Sequence, residues 1–183
     1  MILPVTVYGD PLLRLVSKPI NPDYPNLNQL IENMYETMYN ADGVGLAAPQ
    51  VGLSIRMFIV DGTPMAEEEP ELSDFKKVFI NPTVIDKQGE PWLMEEGCLS
   101  LPNIRENVSR EEQVTIKYTD QDWTEKTETY NGYAARVILH EYDHLEGKLF
   151  IDHISPLRKK LIKGKLMAIS KGKARVSYRI KIP

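Results

Sequence analysis

The sequence predicts an α+β fold: mixed, mostly antiparallel β-sheet packed around one central helix, in a single domain spanning residues 1–183. Three observations predict it. Ile55–Val60, Lys77–Ile85, Gln113–Tyr118 and Lys126–Tyr130 are short segments rich in β-branched or aromatic residues and bounded by turn formers, the signature of strands. The stretch from Tyr133 to Glu146 is helix-forming, and its apolar residues cover most of the circumference, which places it inside the protein. A chain of 183 residues, 42% hydrophobic and 26% charged, supports one packed core and excludes a disordered or fibrous protein.

Taken in order, Leu27, Leu30, Ile31, Met34 and Met38 recur at helical spacing and give a surface helix ending near Asn40-Ala-Asp-Gly43. The strand Ile55–Val60 follows. The acidic, proline-interrupted segment Asp61–Asp74 has no periodicity and reads as an exposed loop with no assignable role. After the remaining three strands, Asn131-Gly132 introduces the central helix, and Gly147 stands as its C-terminal cap. Ala135, Val137, Ile138, Leu139, Tyr142 and Leu145 are its core positions. Pro156 to about Ser170 forms a basic amphipathic helix through Leu157, Leu161, Ile162 and Leu166, and Val176–Ile182 alternates like a strand.

No apolar run reaches the roughly 18–20 residues of a membrane helix, and the N-terminus lacks a basic region followed by an apolar one, so a soluble, untargeted chain is expected, without membrane or DNA partners. One cysteine cannot form an intrachain disulfide, which suits a reducing compartment. The net charge of -4 conceals an asymmetry: residues 148–183 hold eleven Lys or Arg against one acid, Asp152. This basic C-terminal arm is either a solvated helix face or a surface for a polyanion such as structured RNA.

His140-Glu141-Tyr142-Asp143-His144 matches His-Glu-x-x-His. Residues four apart project from one helix face, so both imidazoles can hold one metal ion, and Glu141, one step offset, can take a proton from water activated by that metal. A third ligand is needed. The zinc-protease extension that ends in a further histidine fails at Phe150, and no glutamate follows Glu146, which removes the second protease pattern. Asp152, His153 and Cys98 remain. His153 lies past the helix-ending Gly147, where a surface or packing role is expected. Cys98, in Glu95-Glu96-Gly97-Cys98-Leu99-Ser100, reads as a buried thiol, a nucleophile or a thiolate ligand.

Three blocks, Gly43-Val-Gly-Leu-Ala-Ala-Pro-Gln50, Glu96-Gly-Cys-Leu-Ser100 and His140-Glu-Tyr-Asp-His144, occur in the order and spacing of the peptide deformylases, and the resemblance covers nearly the whole chain. It implies a deformylase-like fold and one divalent metal ion held by Cys98, His140 and His144. It further implies Glu141 as general base and acid, an oxyanion site of Gln50 and the Leu99 amide, and an extended peptide bound by the backbone of Val44, Gly45 and Gly97. The metal it implies is ferrous iron, with zinc, nickel or cobalt also accepted. The activity implied is hydrolysis of the formyl group from N-formylmethionyl nascent peptides, in the bacterial cytoplasm or, for a processed form, an organelle. Ribosome contact through the basic arm follows from where such substrates emerge.

Beside the resemblance, residue chemistry adds detail. An amide such as Gln50 can donate to developing negative charge but ligates a soft metal poorly. The missing side chain at Gly45 lets backbone approach the scissile group, admitting a formyl hydrogen while resisting an acetyl methyl. Val44 and Val137 are candidates to line an apolar slot for methionine. Arg105 matches a basic position near the peptide-exit end of the family's cleft. Arg110 is expected to pair with Glu95 or Glu96 and brace the metal strand, and Asp143 is left between orienting a neighbour and a structural hydrogen bond. Two other classes stand against the enzyme reading: a zinc protease, and a binding protein with a structural metal, which would need a closed four-ligand site.

Overall fold

A computed structural model describes all residues 1–183. Its elements are β1 (Val5–Thr6), α1 (Leu27–Asn40), β2 (Gly45–Ala47), β3 (Met57–Asp61), β4 (Lys76–Cys98), β5 (Leu101–Thr119), β6 (Glu125–Asn131), α2 (Gly132–Leu145), α3 (Pro156–Ser170) and β7 (Ile180–Lys181), with short 3-10 turns between them. Strands β2-β3-β4-β5-β6 form one antiparallel sheet in that order, and β1 pairs with β7 in parallel. The α+β class expected from sequence is the one observed.

Helix α2 is enclosed as its pattern requires: eleven of its fourteen residues are buried, and it packs on β2, β3, β5 and β6. Its apolar face joins Phe58, Phe79, Val114 and Ile116 of the sheet in one core, where Phe58 and Phe79 stack with centroids 4.6 Å apart. Each such fully buried side chain contributes about 1.5–3 kcal/mol relative to exposure. α1 covers the far side of the sheet with Leu27, Ile31, Met34 and Met38 buried, the face its spacing gave. Gly147 ends α2 at φ +70, and a Cβ there would stand 2.5 Å from the Arg14 carbonyl oxygen, so both conformation and space demand glycine.

Three local expectations change. The strand read as Lys77–Ile85 runs on to Cys98, and the one read as Gln113–Tyr118 begins at Leu101. The added length is one long hairpin whose middle is solvated, so Asp86–Glu90 carries no strand-like composition, while its tip at Leu99-Ser100 turns into the protein; bulges near Ile80, Val84 and Gln88 absorb its twist. Within Val176–Ile182 only Ile180–Lys181 pairs as strand. The acidic segment Asp61–Asp74 contains two 3-10 turns and is pinned by Leu72, which is fully buried.

Candidate active site

The site forms where the end of β4 meets the buried histidines His140 and His144 of α2. Strand alternation does the sorting: Glu96 and Cys98 turn inward while Glu95 and Arg105 turn out. Beyond Cys98 the chain reverses in the two-residue turn Leu99-Ser100, after which Leu101 pairs back with Cys98. The Cys98 Sγ lies 3.4 Å from His144 Nε2, and the ligand atoms of Cys98, His140 and His144 all lie within 4.8 Å of one another. Neither Asp152 nor His153 joins this group. Asp152 pairs with Arg14 at 2.7 Å and caps the Leu149 amide, and His153 Nε2 contacts Asp143 Oδ2 at 2.7 Å.

His140 is aimed by its other nitrogen, Nδ1, which meets Glu96 Oε1 at 2.8 Å. The Glu96 carboxylate also receives Arg110 Nε at 2.7 Å, Arg110 Nη2 at 3.0 Å and Arg136 Nη1 at 2.7 Å. Burial opposes its charge, but the hydrogen bonds from His140 and Arg110 prevail and hold the carboxyl well below the usual range. Arg110 Nη1 reaches Asp143 at 2.9 Å. Burial likewise opposes ionisation of Asp143, and contact with His153 and Arg110 brings it down to about 2. The buried charges thus alternate, two carboxylates with two guanidinium groups, which is what keeps them tolerable away from water. Arg110 pairs with Glu96 rather than Glu95, and Asp143 joins Arg110 to His153. Phe150, where a protease would place a third histidine, stacks against the His140 ring.

Glu141 is buried between β2 and the cysteine hairpin, its Oε2 without a hydrogen-bond partner. Burial pushes its carboxyl up to about 7, near the value that suits proton transfer in both directions at neutral pH. Gly45 gives it room: a Cβ there would stand 2.6 Å from Glu141 Oε1. The space expected to admit the scissile group therefore accommodates Glu141. Gln50 is fixed in its 3-10 turn because its Oε1 accepts the Ala47 amide at 2.9 Å, which turns Nε2 toward Cys98 Sγ at 3.4 Å and Ser100 Oγ at 3.2 Å.

These residues open into a cleft of about 670 Å3, which Val44, Gly45, Gly97, Leu99, Arg105 and Val137 also line. Arg105 is largely exposed, bonded to Glu95 at 2.7 Å, and its guanidinium covers Gly97, where a Cβ would meet Nη1 at 2.7 Å. The donor set fits a divalent transition metal: one thiol sulfur and two ring nitrogens converge beside a partnerless buried carboxylate oxygen, a combination of soft and borderline ligands.

Residues 2–160 match the family model for polypeptide deformylase. The chain belongs to the polypeptide deformylase family. It is a metal-dependent hydrolase that removes the N-formyl group from the start of newly synthesised polypeptides, releasing formate. A peptide deformylase of Christiangramia forsetii is 55% identical over 190 residues, covering 100% of this chain and 97% of its own. Among solved structures, a Legionella pneumophila peptide deformylase superposes with a TM-score of 0.83 at 36% identity, covering 96% of this chain and 99% of that one. An Acinetobacter baumannii deformylase with Met-Ala-Ser bound superposes with a TM-score of 0.76 at 37% identity, covering 84% and 99%. No helix of the chain is long and apolar enough to cross a membrane.

Sequence reasoning missed two lining residues of consequence. Arg136 could have been found, since an arginine amid apolar neighbours on an enclosed helix must be paired. Tyr178 carried no signal, because only the tertiary return of the C-terminal tail brings it to the cleft.

Proposed function

We propose that Cys98, His140 and His144 hold one divalent metal ion, ferrous iron in the cell, with zinc, nickel or cobalt as substitutes, and that the surrounding residues divide the deformylation step among them. The observation that carries this reading is the approach of Cys98 Sγ to His144 Nε2, 3.4 Å, across 46 residues of sequence, beside a buried Glu141. When bound, the metal acidifies a water molecule and polarises the formyl oxygen. Glu141 takes the proton as that water attacks the formyl carbon, then delivers it to the departing amine nitrogen. A carboxyl poised near 7 serves both transfers. The Gln50 Nε2 and the Leu99 N–H donate to the oxygen as negative charge develops, and both are held in advance, Gln50 by Ala47 and Leu99 within the tight turn.

The peptide lies extended along β2, whose outer edge is unpaired in the sheet order, with backbone bonds from Val44, Gly45 and Gly97. Val44 and Val137 line the slot for the formylmethionine side chain, and Arg105 stands at the exit. The bacterial cytoplasm is the setting. In the basic arm, Arg158 is engaged by Glu106 at 2.7 Å, whereas Lys159, Lys160, Lys163 and Lys165 stay exposed on α3 and supply the ribosome contact.

The deciding experiment measures formate release from formyl-Met-Ala-Ser under anaerobic conditions, with bound metal quantified, for the wild type and Cys98→Ala. The wild type turns over with about one metal per chain. A Cys98→Ala enzyme that keeps both metal and activity would overturn the ligand set. Ribosome co-sedimentation that persists after replacing Lys159, Lys160 and Lys163 by Ala would remove the arm's role.

A further inference from the structure

The C-terminal tail leaves α3 at Ser170 and returns across the mouth of the cleft. It is anchored on both sides of its crossing. Asn103 Nδ2 donates to the Arg175 carbonyl at 3.0 Å, and β7 pairs with β1 through Val5↔Ile180 and Thr6↔Lys181. Between these anchors, Arg175–Tyr178 form part of the cleft wall together with Cys98 and Glu141. The half-buried Tyr178 hydroxyl donates to the Leu99 carbonyl at 2.7 Å.

That contact falls on the turn Leu99-Ser100, whose two residues lie outside the strand ladder and whose carbonyls must find partners elsewhere. Ser100 is held by others: its carbonyl accepts the Tyr8 amide at 2.9 Å and its Oγ the Gln50 Nε2 at 3.2 Å. Leu99 has Tyr178.

Building on the assignment of the Leu99 N–H as an oxyanion donor, we propose that Tyr178 is a positioning residue, whose hydroxyl fixes Leu99 from the far side of the turn so that its N–H points at the developing charge. A two-residue turn can rock about its own dihedrals without disturbing the strands that flank it. One hydrogen bond to the Leu99 carbonyl removes that freedom, and a donor misaimed by a fraction of an ångström loses much of its value in the transition state while ground-state binding is little altered. Tyr178 lies beyond residue 160, where the family-model match ends, though the Christiangramia forsetii relative aligns over the tail as well.

The test is Tyr178→Phe, which removes the hydroxyl and keeps the ring in the cleft wall, assayed for formate release beside Gln50→Ala with metal content measured on the same samples. Expected for Tyr178→Phe is a kcat about tenfold lower, a KM within about twofold of wild type, and unchanged metal content and melting temperature. A kcat within twofold of wild type overturns the inference, as does a raised KM at unchanged kcat, or a loss of activity matched by a loss of metal or of thermal stability. If Gln50→Ala is crippled while Tyr178→Phe is not, the positioning role fails and the oxyanion reading stands. If Gln50→Ala keeps full kcat, the oxyanion reading fails and takes the inference with it.

Discussion

Glu141 Oε1 lies 2.6 Å from where a β-carbon on Gly45 would stand, with Glu141 Cγ and Cδ at 2.8 and 2.9 Å from the same point. The absence of a side chain on one strand is thus what allows the Glu141 carboxyl of a helix to sit in the cleft. Gly45→Ala must push Glu141 aside, because the clash is with three consecutive atoms of a buried side chain. Turnover should fall by about a hundredfold, the order that a misplacement near 1 Å costs, with bound metal unchanged. Formate release and metal analysis of one sample check both halves.

Glu141→Gln keeps the shape and removes the ionisable carboxyl to which proton transfer is assigned under the proposed function. A general acid–base group contributes about 10²–10⁴-fold, and a loss of that size in kcat is expected at full metal occupancy. Thermal stability should hold or rise, since the variant no longer buries an ionisable group without a partner for Oε2.

Arg110 links Glu96, which aims His140, to Asp143, so Arg110→Met leaves a buried anion on each side short of its partner. Arg136 still serves Glu96, and His153 still serves Asp143. Removing one member of a buried ionic network costs about 3–5 kcal/mol, and loss of support for the proposed ligand His140 should lower metal affinity about 10–100-fold. Urea unfolding and competition with a chelator report the two effects separately.

Gly147→Ala puts a side chain at φ +70 against the Arg14 carbonyl. A destabilisation of about 1–3 kcal/mol is expected from the strained conformation, more if the Arg14 segment cannot move. Activity well below the melting temperature should stay near wild type, which separates this structural glycine from Gly45.

The Arg14–Asp152 pair predicts a pH dependence. Burial opposes the charge on Asp152, but the hydrogen bonds from Arg14 and the Leu149 amide hold its carboxyl below the ordinary value. A depressed folded pKa stabilises the protein above the unfolded value, near 4, and that contribution fades as pH falls through the folded pKa. The melting temperature of Asp152→Asn should therefore trail wild type at pH 7, with the gap closing below about pH 4.

Much of this was legible in the chain. The periodicity of α1, the all-round apolarity of α2 and the cap at Gly147 follow from local chemistry, and His140 and His144 share a helix four residues apart, so spacing alone puts their side chains on one face with Glu141 one step offset. The long hairpin was not legible, because its solvated half is held by cross-strand pairing rather than by composition. Nor was the choice between Glu95 and Glu96, which adjoin in sequence and are separated only by the alternation that turns one in and one out once the register is set.

By itself, the sequence determined the kinds of groups available and every relationship that one helix or one turn enforces, because those depend on neighbours a few residues away. Tertiary structure decided what crosses the fold: that Cys98 reaches His144, that Gly45 makes room for Glu141, that Glu96 aims His140, and that Tyr178 holds Leu99. Such pairs are fixed by how strands register and helices pack, and those are properties of the assembled core, which no local stretch of the chain contains.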